Sequence, residues 1–303
     1  MKRIKLIFNP HADRGRAWDI ASSLKAIIPA EGHFEWASTE YPGHASEIAR
    51  QAALDGCDIV AALGGDGTVH EVVNGLMGVP AENRPLLAAV PIGSGNDFCH
   101  NVGIPEDPEL AMQRILAGAP RPIDIGRLSD SSGRAEHWDN TLGIGFDATV
   151  TIYSYRITRL QGFAMYLWAV LQTIARNHDA PAMHIQTDQE TFDERVLMLT
   201  VCNGPREGGG FRVAPGARPD DGLFDFALIG KVSRAMMLRL IPEVMNGTHG
   251  RFRQVRLGQC RRLELKADHP VTIHVDGEIF AGFTSNVSQL AVEILPGALQ
   301  VVL

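Results

Sequence analysis

A chain of 303 residues exceeds the roughly 100–200 residues of a usual single core, so two domains are expected. With 45% hydrophobic and 21% charged residues, the composition excludes disordered and fibrous classes. Lys+Arg 28 against Asp+Glu 35 leaves a net charge of −7, which speaks against nucleic acid as a partner.

The opening run MKRIKLIFNP reads as a first β-strand, because Asn9-Pro10 stops the apolar stretch short of a secretory core of about 7–15 residues. Strand signals at Ile4–Phe8, Asp58–Leu63 and Leu86–Pro91 alternate with helical spacing over Ala17–Ile28, Ala45–Leu54, Val69–Leu76 and Leu110–Leu116. Such alternation predicts βα units: a three-layer α/β domain over residues 1–125 with a mostly parallel sheet. From about Ile123 the pattern changes to strands at His137–Ile144, Met183–Thr187, Arg195–Cys202, Leu223–Ile229, Leu263–Leu265 and Val271–Val275. Helical signals persist there only over Leu160–Ala175 and near Arg234–Met245. A mainly antiparallel, sandwich-like second domain over 126–289 follows, with the strand-like end, 290–303, open to either domain. Leu160–Ala175 carries no formal charge but falls short of the about 20 residues of a membrane span. It is expected as a core helix, with an acceptor-pocket wall or membrane-dipping surface as the sharper alternative. The basic stretch Arg251, Arg253, Arg256, Arg261, Arg262 and Lys266 is expected as a solvated strand face. Four scattered cysteines without a CxxC pair fit a reducing cytosol, so the expected location is cytoplasmic, peripheral to the inner membrane face at most.

The densest chemical signal is Gly64-Gly65-Asp66-Gly67-Thr68, placed between a strand and a helix. Glycines let a backbone approach phosphates, and the helix start adds about half a positive charge. Thr68 either caps the helix or offers its hydroxyl to a phosphate, and Asp66 beside phosphates calls for a cation or a proton relay. A second glycine loop, Pro91-Ile92-Gly93-Ser94-Gly95-Asn96-Asp97, follows the next strand, and Asn9-Pro10 with Arg14, Gly15 and Arg16 adds a third strand end. A nucleoside triphosphate suits this assembly. No GxxxxGK[ST] is present, and the GxGxxA at Gly143–Ala148 lacks a βαβ setting, so neither a Walker loop nor a dinucleotide site is expected. Further on, Asp220-Asp221-Gly222 offers carboxylates for a hard cation or simply a hairpin turn. Glu278, past the Asp276-Gly277 turn, serves as a general base only if the fold brings it to the nucleotide.

These ordered motifs resemble the bacterial lipid kinase family related to the diacylglycerol kinase catalytic domain. They are Asn9-Pro10 with Gly15, GGDGTVHEVVNGL at 64–76, PIGSGNDF at 91–98, GGGF…AP…DDGLFD at 208–225, and DGE at 276–278. The resemblance implies magnesium-dependent phosphate transfer from ATP to a lipid hydroxyl, the lipid being met at a membrane surface, with homodimerisation left open. Carried over by motif, Asn9, Thr39, Gly64, Gly65, Asp66, Gly67, Thr68, Val69, His70, Glu71, Gly93, Ser94 and Asn96 would bind ATP. Asp221 with the carbonyls of Arg218 and Leu223 would hold Mg2+. Glu278 would be the catalytic base, with Asp66 organising a magnesium–water network that Asp124 supports. Two alternatives stay open: a soluble-metabolite kinase, since NAD kinases and phosphofructokinases also use GGDG loops, and a non-catalytic nucleotide-binding regulator.

Overall fold

Alternating apolar strands and amphipathic helices build the first half, and in the computed structural model they close into a compact unit of Met1–Ile125 with Pro296–Leu303. The structure describes residues 2–12, 17–29, 32–160 and 162–303, so Arg14, Gly15 and Arg16 lie outside the described residues. The order in this unit is β1 (Arg3–Phe8), α1 (Ala17–Ile27), β2 (His33–Ser38), α2 (His44–Leu54), β3 (Ile59–Gly64), α3 (Asp66–Met77), β4 (Leu86–Pro91), α4 (Asp97–Val102) and α5 (Pro108–Ala117). β5 (Pro120–Asp130) then leads out of it. The sheet runs β2-β1-β3-β4 with every pairing parallel. β3 is buried along its whole length, which is why its sequence, IVAALG, shows no alternation. α2 and α3 pack closely because small residues meet: a Cβ on Gly75 would lie 2.3 Å from the Ser46 carbonyl and 2.9 Å from the Ala49 methyl.

The second compact unit spans Gly126–Leu295. Its elements are β6 (Ala135–Trp138), β7 (Thr141–Gly145), α6 (Phe146–Ser154), α7 (Gly162–Arg176), β8 (Ala182–Thr187), β9 (Thr191–Cys202), β10 (Phe224–Gly230), α8 (Arg234–Asn246), β11 (Val255–Cys260), β12 (Arg262–Ala267), β13 (Ile273–Val275), β14 (Glu278–Ala281) and β15 (Gln289–Val302). β15 ends in the first unit, where Val301 pairs with Leu87 of β4 in parallel. The long strand β9 serves two antiparallel sheets: Thr191–Arg195 pairs with β8, and Val196–Cys202 pairs with β10 and β7. Trp138 is fully buried in the core, stacked on Phe224 with ring centroids 4.7 Å apart. Its ring occupies the space above Gly126, its cross-strand partner, where a Cβ would fall 2.1 Å away.

The single strand expected over His137–Ile144 is two strands, β6 and β7. The backbone breaks at Asp139–Asn140 because the amides of Asp139, Asn140 and Thr141 all turn onto the Asp276 carboxylate. α6 was not expected at all; it starts directly after Gly145, whose φ of 78° turns the chain out of β7. α7 packs Ala169, Val170 and Ile174 into the core with β9 and β10, as a core helix against the sheet should, while Trp168 and Leu171 stay exposed on its other face. Among the described residues no helix is long and apolar enough to cross a membrane.

Candidate active site

Parallel strands end on one edge of their sheet, and ligands of such sheets bind beyond those carboxyl ends. Asn9, Thr39, Gly64-Gly65 and the loop Gly93–Asn96 follow the ends of β1, β2, β3 and β4, so the first unit gathers them there. Backbone bonds fix the edge: Asn9 N–H donates to the Leu63 carbonyl at 3.0 Å, and the buried Thr39 donates its N–H to the Phe8 carbonyl at 2.9 Å. The Asn9 amide also donates to the Thr68 hydroxyl at 3.2 Å, which ties β1 to the first turn of α3. Thr68 does not cap the helix; Gly65 is the N-cap residue and supplies no side chain. The oxygen of Thr68 fills the space beside Gly64, where a Cβ would be 2.3 Å away.

The two glycine loops touch backbone to backbone. A Cβ on Gly93 would lie 2.4 Å from the Gly65 Cα, and one on Gly65 would lie 3.1 Å from the Gly93 Cα. Asn96, in the left-handed region at φ 51°, holds the second loop closed by accepting the Gly93 N–H and donating to the Gly93 carbonyl, both at 2.9 Å. Asp66 accepts the Phe98 N–H at 3.0 Å, joining the start of α3 to the first turn of α4. Asn96 and Asp66 thus shape the two glycine loops through their side chains, and Ser94 is left exposed.

Three residues of the expected phosphate-lining stretch turn elsewhere. Val69 and His70 are buried, and both oxygens of Glu71 accept from the start of α2, Gly43 N–H at 2.8 Å and Ala45 N–H at 3.0 Å. Their side chains therefore brace α3 against its neighbours. The surface left for an anion is the first turn, Gly65 to Gly67, where helix amides have no intrahelical acceptor.

In the second unit the hairpin between β13 and β14 carries Asp276 at φ 49° and Gly277 at φ 87°. Asp276 is a structural acceptor: its carboxylate takes the amides of Asp139, Asn140 and Thr141 at 3.0, 2.9 and 3.0 Å. Glu278 is half-buried, and its Oε2 accepts the Tyr155 hydroxyl at 2.9 Å. Burial, then the Glu278 charge and this bond, push the Tyr155 pKa well up, so the phenol remains a donor at neutral pH. Tyr155 escaped the sequence reading because its motif, YSYR, sits far from DGE in the chain. Replacing Asp276 with alanine strands three buried amides at about 1 kcal/mol each, so unfolding free energy is expected to drop by about 3 kcal/mol, read from urea denaturation. Asp276→Asn keeps an acceptor and is expected to lose less than half of that.

The residues assigned to Mg2+ form a loop. The exposed Asp221 accepts the Leu223 N–H at 3.1 Å, while Arg218 pairs its guanidinium with Asp220 at 3.3 Å. Burial and the nearby Asp221 charge push the Asp225 carboxyl up. Carboxylate and carbonyl oxygens in a negatively charged loop are the donors a hard divalent cation takes, so the residues fit the group.

A tighter cluster went unread in the sequence. Asp147, Glu207 and His274 bring ligand-type atoms within 4.8 Å of one another, all buried. Tyr166 bridges the two carboxylates, 3.1 Å from Asp147 and 2.7 Å from Glu207, and Thr200 donates to Asp147 at 2.6 Å. Burial alone would raise Asp147, but the bonds from His274, Thr200 and Tyr166 outweigh it and hold it below the usual range. Burial and the Asp147 charge push Glu207 up. Gly143, first glycine of the rejected GxGxxA, makes room for this cluster, since a Cβ there would sit 2.2 Å from His274 Nε2. A glycine facing an acid four residues on, and a histidine two before DGE, were the available signals.

A family model described as the diacylglycerol kinase catalytic domain matches residues 3–128, and one described as the YegS C-terminal NAD kinase beta sandwich-like domain matches 140–303. A diacylglycerol kinase of Bacillus subtilis is 30% identical over 282 residues, covering 92% of this chain and 90% of its own. The chain belongs to this lipid kinase family. A protein of Chromohalobacter salexigens named "Probable lipid kinase YegS-like" is 32% identical over 86% of this chain and 82% of its own. A crystal structure of a diacylglycerol kinase from Bacillus anthracis shares the fold, with a TM-score of 0.73 over 99% of this chain and 96% of its own at 21% identity. Membership makes the protein a kinase, a phosphotransferase, and the α/β and sandwich-like halves are those of the family.

Proposed function

We propose that the protein transfers the γ-phosphate of ATP to a hydroxyl of a diacylglycerol-like lipid with the help of Mg2+. The observation that carries this reading is the contact between Gly65 and Gly93, which leaves two loops of bare backbone at the sheet edge beside a helix start. Such a surface suits a triphosphate, and phosphoryl transfer asks chiefly for positioning and charge stabilisation. The amides of Gly65 to Gly67 and of the Gly93 loop hold the phosphates. Asp221, with the Arg218 and Leu223 carbonyls, holds Mg2+, which supplies charge neutralisation when bound. Glu278 accepts the proton of the lipid hydroxyl as its oxygen bonds to the γ-phosphorus and the bond to ADP breaks.

The deciding experiment incubates the purified protein with γ-labelled ATP, Mg2+ and lipids presented in vesicles: diacylglycerol, monoacylglycerol, phosphatidylglycerol and sphingoid bases. Label is expected in the diacylglycerol fraction, and label confined to water-soluble acceptors would overturn the reading. In the same assay Asp221→Asn is expected to raise the Mg2+ concentration for half-maximal rate about tenfold, equivalent to about 1.4 kcal/mol. An unchanged requirement would remove Asp221 from the metal loop.

A further inference from the structure

The turn that presents Glu278 is pinned at two points. One is the Asp276 carboxylate on the amides of residues 139–141. The other is the Gly277 N–H, which donates to His274 Nδ1 at 3.2 Å. An imidazole nitrogen accepts only through a lone pair, so this bond requires the ring proton to sit on Nε2. Nε2 lies 3.5 Å from Asp147 Oδ2 and 3.5 Å from Glu207 Oε1, inside the fully buried cluster.

A divalent metal among these three residues is excluded by the same bond. Metal at Nε2 would leave Nδ1 carrying the proton, and it would then face the Gly277 N–H donor to donor. The Tyr166 hydroxyl bonds both carboxylates, Thr200 donates to Asp147, and His274 Nε2 lies equally far from Asp147 and Glu207. The carboxylates also lift the imidazole, to about 10, but a second ring proton would have to displace Gly277 from Nδ1. The hydrogen bond to Gly277 therefore favours the singly protonated ring.

We propose that His274 is a positioning residue for Glu278: its unprotonated Nδ1 holds the Gly277 amide and so the direction in which β14 begins. This rests on the reading of Glu278 as the base. His274 pairs with Gly143 of β7 on one side and with Ile279 of β14 on the other, so any shift of the ring passes to the strand that carries Glu278.

Three substitutions separate holding from filling. Asparagine places an oxygen where Nδ1 stands, glutamine reaches toward Asp147 without offering Gly277 an acceptor, and phenylalanine only fills the volume. His274→Phe and His274→Gln are expected to lower kcat about 10²-fold, the scale of a misplacement near 1 Å, with KM for ATP within about twofold. His274→Asn is expected to stay within about tenfold of the native kcat. Equal losses in Asn and Phe variants of matched thermal stability, or a native kcat in a folded Phe variant, would overturn the proposal. The native protein labelled with 15N-histidine gives a readout independent of turnover: the two-bond 15N–1H spectrum should show His274 as the Nε2–H tautomer. An Nδ1–H or doubly protonated ring would overturn the proposal directly. A native rate in Glu278→Gln would instead sink the reading of the base, and leaves the tautomer result as it is.

Discussion

Glu278→Gln is expected to lower kcat by about 10²–10⁴, or about 3–5 kcal/mol of transition-state stabilisation, while KM for ATP stays within about twofold. Glutamine keeps the size and one carbonyl oxygen of the side chain, so the Tyr155 hydroxyl retains an acceptor and the hairpin retains its shape. The glycine loops that would hold ATP do not include Glu278, so KM for ATP is expected to change little. Only proton removal is lost. A split between kcat and KM is therefore the signature, best read with saturating diacylglycerol vesicles. Glu278→Asp should recover part of the rate, since it restores a base at a shorter reach. Full turnover in purified Glu278→Gln would remove the base from the mechanism.

The α/β half was legible because β3 and β4 are apolar throughout and its helices show clear spacing; β1, β3 and β4 begin or end within one residue of the expected positions. β2 was missed because HFEWAS lies at the sheet edge with exposed and half-buried residues, which carries no strong strand signal. β14 was missed for a related reason: Ile279 is exposed, and a short strand with an uncovered face reads as a loop, whereas β11 falls in the basic stretch expected as a strand face. At the site, spacing located the glycines but not the contact between Gly65 and Gly93, which joins two βα turns distant in sequence. Glu71 and Asp276 were read from their neighbours in the chain, as part of a phosphate loop and of an Asp-Gly turn. Their hydrogen-bond partners, at 43–45 and at 139–141, are known only once the fold is closed. His274 carried no signal of its own in the chain, because its meaning depends on Asp147 and Glu207, which are distant in sequence.

Gly93→Ala is expected to raise KM for ATP about 10²-fold, the loss that a displacement near 1 Å produces in a positioned site. The obstacle is space, since the added methyl would meet the Gly65 Cα at 2.4 Å, the Asn96 oxygen at 2.9 Å and the Gly65 nitrogen at 3.2 Å. Backbone atoms on a strand end cannot step aside as a flexible side chain does, so the second loop must move away from the first. That movement breaks the pair of bonds between Asn96 and Gly93 and shifts α4, whose Phe98 amide is held by Asp66. Both phosphate-facing loops are thereby disturbed by one methyl group. Ser94→Thr adds the same single methyl at the exposed neighbouring position and should leave KM for ATP within about twofold. Titration of both variants with a fluorescent ATP analogue separates the two cases. Equal affinities in Gly93→Ala and the native protein would show that the glycine contact does not form the nucleotide site.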